Sequence, residues 1–391
     1  MMVRRHSIPI LMASRLVYSM NWYNLAPAIY QVSSAFNVSV DQAGLVFAFF
    51  LLGAGLFQVP AGLIAAKWGS RNNCVLGLGI MSASGFAEVI AGNFDALLFL
   101  RFLSGFGAAF FFSSAVSVLN DSNPEKLGQY MGYYNAAFDI GGGIAVFAFT
   151  PITSFFGLHF NEELQASITA VTTLIFFLGV KEGTISGNFE KGALRNRIKN
   201  PLIWLLAIAF SGFWSTTYVY SEYLKDYATF SGIPLYYAGA LGSSVLFFGI
   251  LGSFFSGRIR KENLIRNAVW MVIALCVSVI WIPFLGVAGM WVSALVVGMF
   301  TVSISSLEYS TVVFIEKDRR FVALNSGLFN SIQILLGFTV TVAFTYVLVF
   351  GYEIAWIFIG ILPAVTLPLV LVYARMAAKM GVLQPDTKKI S

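Results

Sequence analysis

Basic residues in this chain alternate with long apolar segments. All but three of the 24 Lys and Arg residues lie in or beside segments that a twelve-span topology places on one side of a membrane. The exceptions are Lys225, expected on the opposite side, and Arg15 and Arg101, expected inside spans. Inserted membrane proteins show this alternation because basic loops remain on the cytoplasmic side. The pattern predicts an all-α polytopic membrane protein with twelve spans and both termini in the cytoplasm.

The overall composition supports the same class. The chain is 58% hydrophobic and 11% charged, whereas soluble domains carry about 25% charged residues. The net charge is +6, and almost all of the basic residues lie in or beside the predicted loops of one side. This distribution favours contact with anionic lipid headgroups over nucleic-acid binding. We therefore expect a multi-pass protein of the cell (plasma) membrane, surrounded by lipid, monomeric and without a nucleic-acid partner. Cys74 and Cys276 are expected to be buried free thiols.

The predicted spans divide into two equal sets. The longest polar stretch, 182–200, is expected to be a cytoplasmic linker between six-helix bundles formed by residues 1–181 and 201–391. Segment 151–163 is expected to be an outer loop. The spans are predicted at 8–31, 43–66, 74–92, 96–119, 127–150, 164–181, 201–224, 236–257, 264–285, 288–314, 321–349 and 352–375.

The two halves have weak internal similarity. The fifth span contains GYYNAAFDIGG, which can be aligned with GLFNSIQILLG in the eleventh span. Two six-helix repeats around a site at the membrane midplane are an architecture used by secondary transporters. The matched positions are Gly132 with Gly327, Asn135 with Asn330, and Gly142 with Gly337.

The loop after the second span carries a family motif. Its sequence GLIAAKWGSR, from Gly62 to Arg71, resembles the G-x-x-x-D-[RK]-x-G-x-[RK] loop of the major facilitator superfamily. The resemblance implies that Gly62 allows close helix contact and Gly69 a tight turn, with Lys67 and Arg71 at the inner surface. Ala66 stands where the family has Asp, so the family's inner latch does not carry over.

The fourth span adds a second motif. RFLSGFGAA from Arg101 is similar to the family's R-x-x-x-G-x-G-x-A segment, whose small residues let helices approach. With the loop motif, the resemblance covers almost the whole chain and implies a secondary transporter that works by alternating access. The fifth span has Gly132 and Gly141 at the spacing of the antiporter motif. Ala145 and Val146 replace its Gly-Pro pair, which weakens drug:proton antiport.

Ionisable residues inside spans are candidates for function, because each costs at least about a few kcal/mol in lipid. Asp139 lies near the middle of the fifth span and is the candidate for proton coupling. Desolvation favours the neutral acid there, so such a group can take up and release a proton. The alternative is a buried acid hydrogen-bonded to Asn135 or a hydroxyl.

Arg101 has a structural alternative to a coupling or substrate role. The helices that carry Glu88 and Arg101 are antiparallel neighbours and place the two residues at one level, which predicts an ion pair. Glu222, near the outer end of the seventh span, could oppose Arg101 as an outer gate. Glu222 and Asp226 are expected to be solvated at the mouth.

Arg15 and Glu308 lie in the inner parts of the first and tenth spans. One hypothesis is that they meet when the inner side closes and separate when it opens. Alternatively, Arg15 holds an anionic group of the substrate, or both side chains extend to the headgroups.

Polar and aromatic residues could complete a pocket. Buried amides are favoured because an amide facing lipid would lack hydrogen bonds. The amides are Asn21, Gln58, Asn135 and Gln333, with Asn330 as a further candidate; the others are Tyr18, Trp22, Asn24, Trp214 and Tyr218.

No phosphate-binding loop, metal cluster or catalytic constellation is recognisable, so neither an enzyme nor a cofactor is predicted. We predict a secondary active transporter (a symporter) of a small polar solute, with a preference for an organic or inorganic anion, coupled to protons through Asp139. The first alternative is a proton-coupled exporter of drugs or lipophilic cations. The second is a non-transporting membrane sensor or scaffold on the same fold.

Overall fold

A computed structural model describes residues 7–122, 127–181, 195, 198–256, 264–315 and 319–380, and their regular structure is helical. The termini and most of the predicted linker 182–200 lie outside the described residues, as do the side chain of Lys67 and several basic loops. The helices are α1 (Ser7–Tyr23), α2 (Ile29–Phe36), α3 (Val40–Ala43), α4 (Leu45–Trp68), α5 (Ser70–Val89), α6 (Phe94–Ser122), α7 (Leu127–Phe156), α8 (Leu158–Gly179), α9 (Pro201–Phe230), α10 (Leu235–Ser256), α11 (Leu264–Ile280), α12 (Ile282–Ile315), α13 (Arg319–Leu348), α14 (Tyr352–Thr366) and α15 (Pro368–Lys379).

The outer surface of the helices is apolar. Eight helices among the described residues are long and apolar enough to cross a membrane. Large side chains such as Leu178, Val365 and Trp270 are exposed on the outside. Exposed apolar surface of this extent marks contact with lipid. The prediction of an all-α, multi-pass membrane protein is confirmed.

The helices pack as two groups. In the first, α6 packs on α4 and α5, and α8 packs on α1 and α5. In the second, α12 packs on α10 and α11, and α14 packs on α9 and α11. The groups meet where α4 contacts α13 and α7 contacts α10. A space bounded by both groups follows from this arrangement.

Small residues allow the helices of the first group to cross closely. A Cβ atom on Gly53 of α4, or on Gly105 of α6, would lie about 2 Å from a backbone carbonyl oxygen of the opposite helix. Gly77 of α5 and Gly107 of α6 form a second crossing, at which each Cβ would lie 2.6 Å from the carbonyl oxygen of the other glycine. The close approach expected for the fourth-span motif is confirmed.

Gly77→Ala is expected to destabilise the protein by about 1–3 kcal/mol, because its methyl group must displace backbone atoms. The control is Gly79→Ala on the same helix, where a Cβ would meet nothing within 4 Å. That variant should be neutral or slightly stabilising, because Ala has the higher helix propensity. Thermal unfolding of the detergent-solubilised chain measures both. Equal unfolding temperatures would contradict the crossing geometry.

The first predicted span is interrupted. α1 ends at Tyr23, a short 3-10 turn covers Ala26–Ala28, and α2 begins at Ile29. Pro27 explains the interruption, because its ring clashes with the preceding turn and it has no N–H group to donate. The predicted span 8–31 is therefore not one continuous helix, and residues 24–28 form a break whose backbone groups need other partners.

The connection between α7 and α8 is shorter than predicted. α7 continues to Phe156, and Gly157, with φ of 85°, turns the chain directly into α8. A positive φ is readily available to glycine, so one residue suffices for the turn. The predicted outer loop 151–163 is therefore wrong. Glu162 lies in the first turns of α8 and is 2% exposed, whereas Glu163 is exposed.

The loop motif after the second span is confirmed in part. Gly69 joins α4 to α5 with φ of 88°, as the tight turn requires. Arg71 donates from Nε to the carbonyl oxygen of Val180 (2.5 Å) and from Nη2 to that of Phe177, and so satisfies carbonyls at the end of α8. A Cβ on Gly62 would meet nothing within 4 Å, so close helix contact at this residue is wrong.

The internal similarity corresponds to equivalent packing. Gly142 lies against the ring of Tyr23 on α1 and a leucine of α10. Gly337 lies against the ring of Tyr218 on α9 and a leucine of α4. Each glycine thus packs on the first span of one half and, across the interface, on the second span of the other half. This equivalence supports a structural repeat.

Candidate functional site

A cavity of roughly 850 Å³, including its solvent-open part, lies between the two groups of helices. Arg15, Asn135 and Asp139 line it from the first group, and Asn330 lines it from the second. Four predicted polar residues are therefore brought together, and the lining also contains the predicted Tyr18, Trp22, Trp214 and Tyr218. The remaining polar candidates do not line this cavity; they are Arg101, Glu222, Glu308, Asn21, Asn24, Gln58 and Gln333.

Arg15 lies in a cage of aromatic rings. Its guanidinium carbon is 4.3 Å from the ring centre of Tyr134, 4.5 Å from Phe138, 4.6 Å from Tyr18 and 5.1 Å from Phe112. Electron-rich ring faces stabilise a cation without using its hydrogen-bond donors. Nε and Nη1 are buried and have no hydrogen-bond partner among the described residues. With the side chain only 5% exposed, extension to the headgroups is wrong.

Asp139 places a carboxyl group in the same cavity. It is buried, and its Oδ2 atom has no hydrogen-bond partner among the described residues. Gly249 of α10 makes room for it, because a Cβ there would lie 2.9 Å from Oδ2. Arg15 and Asp139 do not form an ion pair within 4.0 Å, as judged over the described side chains. The cavity thus contains a cation and a carboxyl group, both with unsatisfied hydrogen-bonding capacity.

Three aromatic rings form one wall of the cavity; we call Trp22, Tyr218 and Trp214 the aromatic ladder. The ring centres of Trp22 and Tyr218 are 6.0 Å apart at 35°, and those of Tyr218 and Trp214 are 5.4 Å apart at 34°. Hydroxyl groups of Thr301 and Ser305 lie on the same cavity surface. A ladder of this kind offers an apolar face beside polar groups.

Glu308 supports the aromatic ladder from behind the lining. Its Oε2 atom accepts hydrogen bonds from Trp214 Nε1 (2.7 Å) and Gln333 Nε2 (3.2 Å). These bonds fix the position of the Trp214 indole ring. Arg15 and Glu308 have separate partners, so the structure does not bring this predicted pair together. Glu308 and Gln333 are positioning residues in this geometry.

Two predicted pocket amides lie elsewhere. Asn21 Nδ2 donates to Val17 O and to Thr169 Oγ1, both at 2.9 Å, and so points toward α8. Gln58 is fully buried in α4, with no hydrogen-bond partner for either amide atom among the described residues. The expectation that these amides line the pocket is wrong, because Asn21 is held by contacts within the first group and Gln58 is buried away from the cavity lining.

The predicted solvated mouth is a buried, charged contact. Glu222, Lys225 and Asp226 are each at most 1% exposed, because α9 continues to Phe230 and is covered by the first group. Lys225 Nζ donates to Asp226 Oδ1 (3.1 Å) and, across the interface, to the carbonyl oxygen of Pro27 (3.0 Å). Solvation of Glu222 and Asp226 is therefore wrong, and the helix groups are joined at this end.

Arg101 binds the break in the first span. Its Nη1 atom lies 3.6 Å from Glu88 Oε2 and donates to Asn24 Oδ1 (3.3 Å), and its Nη2 atom donates to Asn21 O (3.2 Å). The predicted Glu88–Arg101 ion pair is confirmed. Glu222 is not within ion-pair distance of Arg101 among the described side chains, so a direct outer gate between them is not formed.

Comparison with known proteins identifies the family. The family model described as Major Facilitator Superfamily matches residues 11–340. The chain belongs to the major facilitator superfamily. Its helical architecture is therefore the fold of that family, with twelve spans in two pseudo-symmetric six-helix bundles.

Several curated members of the superfamily are similar to this chain. "Probable L-galactonate transporter" of Escherichia coli (strain K12) is 25% identical over 60% of this chain and 56% of that protein. "Probable anion transporter 6, chloroplastic" of Arabidopsis thaliana is 24% identical over 58% and 46%. "Hexuronate transporter" of Bacillus subtilis (strain 168) is 22% identical over 45% and 42%. The chain spans about half the length of these relatives.

The burial of two charged residues of this superfamily member, Glu162 and Lys225, was not predicted from the sequence. Glu162 was assigned to a loop, although the helical spacing of Asn161, Gln165 and Thr169 on one buried face predicts that α8 begins before it. Lys225 was assigned to the outer side because it directly follows the predicted seventh span, 201–224. The directly following Asp226 was the available signal for a buried pair.

Proposed function

We propose that this superfamily member is a secondary transporter, and not an enzyme, that carries an organic anion by alternating access. The observation that carries the proposal is the Arg15 guanidinium, buried at the cavity with two donors lacking partners among the described residues. A buried cation of this kind is stabilised by an anionic ligand that accepts both hydrogen bonds. In this proposal bundles 1–181 and 201–391 move against each other, joined by the linker 182–200.

The substrate class that fits the cavity best is a hydroxylated carboxylate of sugar-acid size. Its carboxylate binds Arg15, its carbon skeleton packs on the aromatic ladder, and its hydroxyl groups bind Asn135 and Asn330. The names of relatives, which include a galactonate and a hexuronate transporter, support this class.

Proton coupling is the second part of the proposal. Asp139 lies in the same cavity as Arg15 and has an oxygen atom without a hydrogen-bond partner among the described residues. A proton on Asp139 removes a negative charge beside the bound anion, so proton and anion favour each other's binding. The proposed setting is a monomer in the plasma membrane with both termini in the cytoplasm.

The rival function, export of lipophilic cations, requires a cavity with an acid and without a free arginine. Arg15 in the same cavity counts against it, because a bound cation would lie beside a second positive charge.

Uptake by proteoliposomes separates these functions. Purified chain is reconstituted, a pH gradient is imposed, and accumulation of a labelled hexuronate is compared with that of its neutral parent sugar and of a lipophilic cationic dye. We expect gradient-dependent accumulation of the hexuronate alone. Transport of the dye in place of the acid would support the exporter, and transport of no organic anion in a wider screen would reject the proposal.

A further inference from the structure

A second set of buried carboxyl groups lies outside the cavity. Glu88 on α5 and Glu162 on α8 are each 2% exposed, and Glu88 Oε2 lies 3.6 Å from Nη1 of Arg101 on α6. Glu162 interacts electrostatically with both of the other residues. Three helices thus bring two carboxyl groups to one guanidinium group in the interior of the first helix group.

The charges in this cluster do not balance if both acids are ionised. One guanidinium neutralises one carboxylate, and a second buried carboxylate would carry an uncompensated charge away from water. The neighbouring side chains Asn21, Asn24 and Asn161 are neutral amides, and no other cation of α1, α4, α5 or α8 faces the cluster among the described residues.

Charges on α9 and at the surface do not supply the missing cation. Lys225 is paired with Asp226 at 3.1 Å, and the nearby Glu222 adds negative charge. Asp95 on α6 and Glu163 on α8 are exposed and solvated. One oxygen atom of each cluster acid, Oε1 in both, is buried and has no hydrogen-bond partner among the described residues. Two carboxyl groups that cannot both ionise share a proton.

We infer that Glu88 and Glu162 share one proton around Arg101 and form a proton-binding site separate from the substrate cavity. The site consists of one acid, one carboxylate and one guanidinium, which leaves the cluster neutral. The proton on either acid turns an unpaired oxygen into a hydrogen-bond donor and removes the like-charge repulsion between the two groups.

The site is connected to the contact between the helix groups. Arg101 binds the carbonyl oxygen of Asn21, and Asn161, next to Glu162, donates to the carbonyl oxygen of Asn24 (3.0 Å). Lys225 binds the carbonyl oxygen of Pro27 in the same break of the first span. Proton occupancy therefore acts on the segment that joins the two groups. This role rests on the proposed transport function, whereas proton binding does not.

The test is the pH dependence of stability of the full chain in lipid nanodiscs, with Glu162→Gln, Glu88→Gln, the double variant and Glu163→Gln as the exposed control. A proton held in the folded state and released on unfolding makes the folding equilibrium constant fall by up to about tenfold per pH unit above the ordinary range of Glu. Either single Gln variant should reduce this slope by the contribution of one proton and remain folded, because the amide replaces the neutral acid. Glu163→Gln should retain it.

The double variant should unfold at a lower temperature than both single variants, because Arg101 then has no carboxylate. Wild type should have an infrared band of a protonated carboxyl group that Glu162→Gln lacks, so the difference spectrum of the two should contain it. The Glu163→Gln variant should retain this band. An unchanged slope in both single variants overturns the inference, and so does failure of both to fold. Hexuronate uptake tests the proposed function separately, since these measurements need no substrate.

Discussion

Arg15→Gln is expected to reduce transport efficiency (Vmax/KM) for an organic anion by at least about 30-fold. Removing one member of a buried, hydrogen-bonded charge pair costs about 2–5 kcal/mol, and each 1.4 kcal/mol is about tenfold. The loss falls on KM, because the guanidinium binds the anion before any conformational step. Initial uptake rates over a range of substrate concentrations in proteoliposomes measure this effect.

The aromatic cage makes Arg15→Lys informative. Lysine keeps the charge but has neither the flat guanidinium group nor the paired N–H donors, so it should recover only part of the affinity. Arg375→Gln, which removes an exposed cation of α15, is the matched control and should transport normally. Equal KM values for Arg15→Gln and wild type would show that the substrate binds elsewhere.

The sequence predicts the fold well because lipid imposes simple constraints. Every spanning backbone must be helical, and the span lengths follow from the membrane thickness. The tight turn at Gly69 and the close helix crossing at Gly105 follow from local sequence. The equal depth of Glu88 and Arg101 in the membrane follows from counting residues along antiparallel helices. These predictions depend on short-range geometry alone, and the structure confirms them.

Long-range packing explains the predictions that were wrong. Composition cannot indicate that Glu222 is covered by the other helix group, because a polar residue near a span end is equally compatible with solvent. Asn21 is an amide within a span, which predicts a pocket residue, but its side chain is oriented by a hydrogen bond to Thr169, 148 positions away. The break at Pro27 was accessible from sequence, since proline rarely continues a helix without a kink.

The sequence predicted several residues of the candidate site, but it did not predict how their side chains are arranged. An ionisable or amide group inside a span is energetically costly and is therefore a candidate for function. This criterion identified Arg15, Asn135, Asp139 and Asn330. The aromatic cage around Arg15 needed three helices to be placed, and the Trp214–Glu308 hydrogen bond crosses from α9 to α12. Such contacts decide which cation is free to bind a ligand.

Asp139→Asn is expected to abolish accumulation of substrate against its gradient while leaving exchange intact. Asparagine resembles the protonated acid but cannot release a proton, so the pH gradient no longer drives the cycle. A gradient of one pH unit is worth about 1.4 kcal/mol per proton, which corresponds to about tenfold accumulation. The accumulation ratio should fall to about one, and counterflow of labelled substrate should continue at a rate similar to that of wild type.

Comparison with other acid variants assigns the loss to the cavity. Asp95→Asn removes an exposed carboxylate and should accumulate substrate normally. Asp139→Asn should also keep the pH-dependent stability attributed to Glu88 and Glu162, because the cavity and the Arg101 cluster are separate sites. If Asp139→Asn still accumulates substrate in response to the gradient and Glu162→Gln does not, the coupling proton is bound by the Glu88 and Glu162 pair, and Asp139 is left with a role in substrate binding.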